Sequence, residues 1–151
     1  FYEDKQMSNV NEQLKMTGRL RIHLNGELVR DIDNLVVTAG KGFVATRMIG
    51  TGAGVMTHMG VGTGTTDPVA GDTALETQVG SRIAFTTSAA VSAAVVTYIT
   101  AFAAGEGTGA LTEAGIFNAS SGGTMLARTE FSVVNKGAAD TMTITWTVTV
   151  S

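Results

Sequence analysis

Three features of this sequence predict an all-β fold. The last eleven residues, TMTITWTVTVS, alternate strictly between threonine and apolar side chains. The dipeptide Asn25-Gly26 lies between two further alternating runs, and no long segment has a helical period. Because successive strand residues point to opposite faces, the terminal stretch should bury one row and expose a row of threonines. The row expected in the core consists of Met142, Ile144, Trp146, Val148 and Val150.

A β-hairpin is predicted at the start of the fold. GRLRIHL alternates over residues 18–24, and ELVRDID follows over residues 27–33. Asn25 and Gly26 both tolerate the positive φ of a type I′ turn. Residues 1–17 are polar and without a clear period, so we expect an N-terminal arm there and a single domain over residues 18–151.

The segment after the hairpin predicts the one short helix. Apolar residues occur there at helical spacing, and Thr38 is placed to cap the first turn. Gly40 and Gly42 weaken the helix, so we expect one or two turns that end at Gly50.

The rest of the chain predicts strands separated by glycine-rich turns. A short strand around residues 55–61 precedes the longest loop, residues 62–76, and four strand-like runs follow before the terminal strand. The total is about eight strands, which predicts an antiparallel two-sheet sandwich of jelly-roll type. The four runs are residues 81–87, 91–103, 109–119 and 124–135.

Composition argues against several classes of function. Only 15% of residues are charged and the formal net charge is −3, which does not favour a nucleic-acid partner. There is no cysteine, so disulfides and thiolate metal sites are excluded. The longest apolar-leaning stretch, residues 89–105, is interrupted by polar residues and is too short for a membrane helix, so we expect a soluble protein with no membrane partner.

The N-terminal third contains the residues that we expect to bind a partner. Seven of the ten lysines and arginines lie in the first 47 residues. Phe1 and Tyr2 are two large aromatic residues in a polar arm, and such residues commonly anchor one protein subunit to another. Lys5, Arg19 and Arg21 are the cationic residues that we place in the same partner-binding set.

No motif for catalysis, metal or cofactor binding is complete. GVGTGTT resembles a phosphate-binding loop but lacks the required lysine, so turns and bulges are expected. The two histidines, His23 and His58, have no third ligand nearby in the sequence, and no nucleophile motif is present. We therefore predict no catalytic residues, no metal site, no cofactor and no small-molecule substrate.

Six acidic residues are expected to be solvated at turns or strand ends. Four of them could line one end of the sandwich, which leaves open a calcium-dependent sugar-binding or glycan-cleaving protein as a remote alternative. The four are Asp72, Glu76, Glu106 and Glu113, and the other two, Asp31 and Asp33, end the second strand.

Three segments resemble small structural proteins of tailed bacteriophages and prophages, which are often described as tail fibre proteins. They are NLVVTAGKGFVATRM, VGTGTTDPVAGDTALETQV and the region from residue 97 to residue 150, in which AGEGTGALTEAGIFN and TMLARTEF are distinctive. Together they cover more than half of the chain, whereas the first 33 residues have no such resemblance. The family has no catalytic residues to transfer to this sequence.

The resemblance implies a virion β-sandwich that assembles as a homotrimer. Its location in the virion is open between two alternatives. A capsid decoration (cement) protein would bind the major capsid protein and stabilise the head shell. A tail fibre or baseplate component would instead contact the host. The compact domain, the polar arm and the absence of a shaft-like repeat favour the decoration protein.

Overall fold

The computed structural model describes residues 11–52, 54–92 and 94–151. Phe1, Tyr2 and Lys5, and with them most of the predicted arm, lie outside the described residues. The described part contains one helix and nine strands: β1 (Met16–Leu24), β2 (Glu27–Val36), α1 (Thr38–Arg47), β3 (His58–Gly62), β4 (Ile83–Ala84), β5 (Thr87–Ser92), β6 (Val95–Phe102), β7 (Gly109–Phe117), β8 (Met125–Lys136) and β9 (Met142–Val150).

The all-β fold is confirmed, but the two-sheet sandwich is not. The nine strands form one continuous sheet in the order β4-β3-β7-β8-β2-β1-β9-β6-β5. All of the paired strands are antiparallel. Between β2 and β8 only two residue pairs are in register, Leu35 with Arg128 and Val36 with Ala127. The sheet is therefore continuous but narrow at this position.

The two ends of the sheet order meet in one stretch of chain. β4 pairs with β3, and β5 pairs with β6, although only Phe85 and Thr86 separate β4 from β5. The backbone N–H of Phe85 donates to the carbonyl of Thr57 (2.9 Å), and that of Thr86 donates to the carbonyl of Ile99 (2.8 Å). The sheet is therefore curled, so that the short segment of Phe85 and Thr86 makes hydrogen bonds to both of its ends.

Apolar side chains on the inner face of this sheet form one core. In β9 the prediction is confirmed for four positions, whose side chains are buried, while Val150 is half-buried. Trp146 and Phe102 are fully buried among residues from both halves of the sheet order. The cluster includes Leu20, Ile22, Met59, Val61, Ile116, Leu126, Phe131, Ile144 and Val148.

The opening hairpin has the predicted turn. Asn25 (φ 49°) and Gly26 (φ 83°) both have positive φ, which a type I′ turn requires. The Asn25 side chain accepts a hydrogen bond from the Thr141 N–H (3.0 Å) and donates one to Asp140 (2.9 Å). Lys15, just before β1, and Ser151, just after β9, exchange two backbone hydrogen bonds of 2.6 and 2.8 Å.

Two details of the helix prediction are wrong. Thr38 is the first residue of α1 rather than its N-cap, which is Val37 and makes no side-chain capping bond. The helix also runs for ten residues rather than one or two turns. Its packing explains the difference, because Gly40 is buried against the backbone of Leu126 in β8 and the missing side chain permits this close approach.

Two predicted strand boundaries are also different. The run at residues 81–87 is interrupted at Phe85 and Thr86, where the chain passes from one end of the sheet to the other. The run at residues 91–103 contains the turn between β5 and β6. Apolar and β-branched residues continue through both breaks, so the sequence pattern does not mark them.

Candidate partner-binding face

The outward side of β1 and β9 combines threonines with two arginines from the predicted set. In register, Arg21 lies opposite Thr145, and Arg19 lies opposite Thr147. These side chains point away from the core because their neighbours Leu20, Ile144 and Trp146 are buried. They line a depression of about 400 Å³ together with Thr17, Gly18, Asp33 and Thr149. We call these eight lining residues the threonine–arginine face.

The two arginines are held in place by the acids of β2. Asp31 and Asp33 lie directly opposite Arg21 and Arg19 within the strand, so the prediction that they end it is wrong, although both residues are exposed as expected. Arg19 Nε is 2.6 Å from Asp31 Oδ1, and Arg21 Nε is 3.4 Å from Asp31 Oδ2. β2 continues past the predicted end at residue 33, and this extension makes the acids cross-strand partners.

Exposure and charge keep this face available to a partner. The hydrogen bond with Arg19 lowers the pKa of Asp31 and raises the pKa of Arg19, so both groups are charged at neutral pH. The Arg19 side chain nevertheless remains 56% exposed, and that of Asp33 is 85% exposed. Such exposed ion pairs contribute little to stability but fix the directions of the side chains.

A partly buried hydrogen bond lies beneath the face. Trp146 Nε1 donates to Asn34 Oδ1 (2.7 Å), which connects β9 to β2 across β1. A Cβ at Gly18 would overlap the Asn34 side chain, so only glycine leaves room for this contact. Sequence reasoning missed this arrangement because glycine and asparagine are residue types common in turns, so Gly18 and Asn34 gave no signal of a buried contact.

Three of the four predicted loop acids come together around Arg128. Glu113 is not a solvated turn residue, because it lies in β7 and is fully buried. Arg128 Nη2 is 2.9 Å from Glu113 Oε2, Nη1 is 3.0 Å from Asp72 Oδ2, and Nη2 is 3.8 Å from Glu76 Oε2. Glu106 lies elsewhere and accepts a hydrogen bond from the Ala103 N–H. Arg128 itself carried no sequence signal beyond its charge.

The remaining candidate residues do not form a recognisable chemical site. In the described part of the chain, no group of three His, Cys, Asp or Glu side chains is arranged to hold a metal. His58 Nδ1 lies 2.7 Å from the hydroxyl of its neighbour Thr57, and His23 is half-buried in β1. Within the same described residues, no helix has the length and apolarity needed to span a membrane.

Comparisons with protein-family models, curated proteins and solved structures find no match.

Proposed function

We propose that this chain is a structural protein of a tailed-bacteriophage virion. Its best-supported role is that of a capsid decoration (cement) protein, which binds the major capsid protein on the assembled head shell as a homotrimer. The observation that carries the proposal is the threonine–arginine face, a sheet surface with hydroxyl groups and paired charges over a buried apolar core. The resemblance of three sequence segments to phage structural proteins supports the same role.

The face is suited to protein contact because its hydrogen-bonding groups are already oriented. Threonine hydroxyls form hydrogen bonds in either direction, and their methyl groups contribute apolar area. Arg19 and Arg21 are already directed by Asp31, so they lose little conformational freedom when a partner binds. Phe1, Tyr2 and Lys5 complete the proposed contact set on sequence grounds alone.

The proposed action is thermodynamic rather than catalytic. A protein that binds the assembled shell and not its separate subunits stabilises the shell by mass action. The gain per site is about 2.7 kcal/mol when the free protein is at a hundred times its dissociation constant. No substrate or cofactor is required for such a role.

Copy number in purified virions tests the proposal directly. Quantitative mass spectrometry should find about one copy for each major capsid subunit, because a decoration protein follows the shell lattice. A ratio of a few per cent would instead support the alternative, a tail fibre or baseplate component that contacts the host. Absence from the particle would contradict both roles.

Substitutions at the face test which surface binds. Thr147→Lys places a long cation at the centre of the depression, and Thr73→Lys is the matched control at an exposed loop position. The variants are mixed with capsids prepared without this protein. We expect Thr147→Lys no longer to co-sediment with these capsids, and Thr73→Lys to bind them like the unmodified chain. Equal binding by both variants would show that the partner docks elsewhere.

A further inference from the structure

Three apolar side chains in the segment after α1 project into solvent. Met48 is 87% exposed, Ile49 is 73% exposed and Val55 is 58% exposed. They are three of the four most exposed large hydrophobic residues in the described part of the chain, and they lie within eight consecutive positions. We call these three residues the apolar patch. Singly exposed apolar residues are ordinary, but several in one place mark a contact surface.

The apolar patch lies on a turn that is attached to the fold at both ends. Gly50 and Gly52 have positive φ (66° and 101°), a conformation that favours glycine. A Cβ at Gly52 would lie 2.9 Å from Thr46 Oγ1, so the chain turns back against the last turn of α1. Further on, Asn118 Nδ2 in the turn between β7 and β8 donates to the Gly54 carbonyl (3.3 Å). The patch is therefore presented by a folded segment and not by a loose tail.

The stretches of chain around the apolar patch contain basic residues and no acidic ones. Residues 34–66, which include α1 and the patch, have Lys41 and Arg47 but no Asp or Glu. Residues 114–129, which include the turn between β7 and β8, also have no Asp or Glu. Arg82 binds this turn, because its Nη1 donates to two of the turn's backbone carbonyls (2.7 and 3.1 Å). The patch thus combines exposed apolar area with positive charge.

We propose that the apolar patch docks on the surface of an anionic lipid membrane. Its side chains enter the boundary between lipid headgroups and acyl chains, while Arg47 and Arg82 attract the headgroup phosphates. A second copy of the chain is a poorer occupant, because it would bring like charges together. A bilayer supplies the opposite charge and requires no complementary groove.

This contact is peripheral, so it needs no membrane-spanning helix. It departs from the sequence expectation of no membrane partner, which considered only whether a segment could span a bilayer. The inference goes beyond the proposed virion role and does not depend on it. Because one copy offers only three apolar side chains, its affinity should not exceed that of a single acyl chain, about 10⁴ M⁻¹.

Vesicle flotation tests the docking. The full chain is mixed, at about millimolar lipid, with vesicles of phosphatidylcholine alone or of two parts phosphatidylcholine to one part phosphatidylglycerol. We expect flotation with the anionic vesicles, about tenfold less with the neutral ones, and a marked loss when salt is raised from about 0.1 M to 1 M. Absence of flotation with anionic vesicles at the lower salt would overturn the proposal. Equal flotation with the two vesicles would contradict it too, since anionic headgroups are required.

Variants locate the contact. Met48→Ser combined with Ile49→Ser should lower the fraction that floats by about tenfold or more, because both apolar side chains are lost. Val55→Ser and Val69→Ser form a matched pair, since the two valines are 58% and 56% exposed but Val69 lies near Asp67 and Asp72. We expect only Val55→Ser to weaken flotation.

Trp146 fluorescence confirms that each variant retains the folded core. Flotation of the double variant like that of the unmodified chain would show that the patch is not the contact. Self-association that the double variant abolishes, without flotation of the unmodified chain, would assign the patch to a contact between copies and refute membrane docking.

Discussion

Gly40 and Gly42 stand two positions apart in α1 but in opposite environments. A Cβ at position 40 would overlap the carbonyl oxygen of Leu126 and lie 2.8 Å from its carbonyl carbon. A Cβ at position 42 would meet nothing within 4 Å. The same substitution to alanine should therefore destabilise the protein at the first position and stabilise it at the second.

The expected size of each effect follows from these contacts. Gly42→Ala should raise the free energy of unfolding by about 1 kcal/mol, the difference in helix propensity between the two residues. Gly40→Ala gains the same propensity, but the helix must move away from β8. Overpacking costs about 1–3 kcal/mol. Loss of the hydrogen bond from the Val37 N–H to the Leu126 carbonyl (3.2 Å) costs a further ~1–3 kcal/mol. The net loss for Gly40→Ala should be about 3 kcal/mol.

Urea denaturation provides the measurement. Trp146 is the sole tryptophan and is fully buried, so its fluorescence reports the unfolding of the core. If the free energy of unfolding falls with urea concentration as it does in other small proteins, the urea concentrations at the unfolding midpoints of the two variants should differ by about 2 M. Effects on the unfolded chain are the same for both substitutions and cancel in the comparison. Equal midpoints would refute the close approach of α1 to β8.

Three further predictions concern buried or paired polar groups. Thr100→Val should raise the free energy of unfolding by about 1 kcal/mol, because the Thr100 hydroxyl is buried without a partner among the described residues; a loss of stability in chemical denaturation would contradict this. Trp146→Phe should cost about 2–4 kcal/mol, because it creates a cavity and leaves Asn34 Oδ1 without its donor; a cost below ~1 kcal/mol in urea denaturation followed by circular dichroism, since the variant lacks the sole tryptophan, would show that the hydrogen bond is unimportant. The hydrogen bond from Asn25 lowers the pKa of Asp140, so its stabilisation is present above the ordinary carboxyl pKa and is lost as the pH falls below it. Melting temperatures of Asp140→Asn should accordingly fall less than those of the unmodified chain between about pH 5 and pH 3, and parallel curves would disprove the coupling.

Local patterns in the sequence predict the parts of the fold that depend on local physics. The threonine alternation of β9 and the Asn25-Gly26 turn are confirmed because strand period and positive φ act within a few residues. The helix was expected to be shorter than it is, because helix propensity treats every glycine as destabilising to the helix. Gly40 is favourable here through a contact with Leu126, which is far away in the sequence.

The order of strands and the polar clusters could not be derived in this way. Pairing β2 with β8, and joining the two ends of the sheet at Phe85 and Thr86, depends on long-range contacts that alternation does not encode. Arg19 and Arg21 were selected for their charge, but their partners Asp31 and Asp33 follow only from the register of β1 with β2. Glu113 was expected among the solvated turn acids although it lies within the run at residues 109–119 that was predicted as a strand, and its ion pair with Arg128 permits its burial there.

The paired backbones of Lys15 and Ser151 make this domain a candidate for circular permutation. Because these residues exchange two hydrogen bonds, a short linker could join the ends of β1 and β9 without disturbing either strand. New ends could then be opened at the exposed turn between β7 and β8, around Ser121 and Gly122. The same proximity means that a tag fused after Ser151 would emerge beside Lys15. A bulky fusion at this position should therefore obstruct any partner that binds near Lys15, whereas a fusion in the β7–β8 turn should leave that partner's access intact.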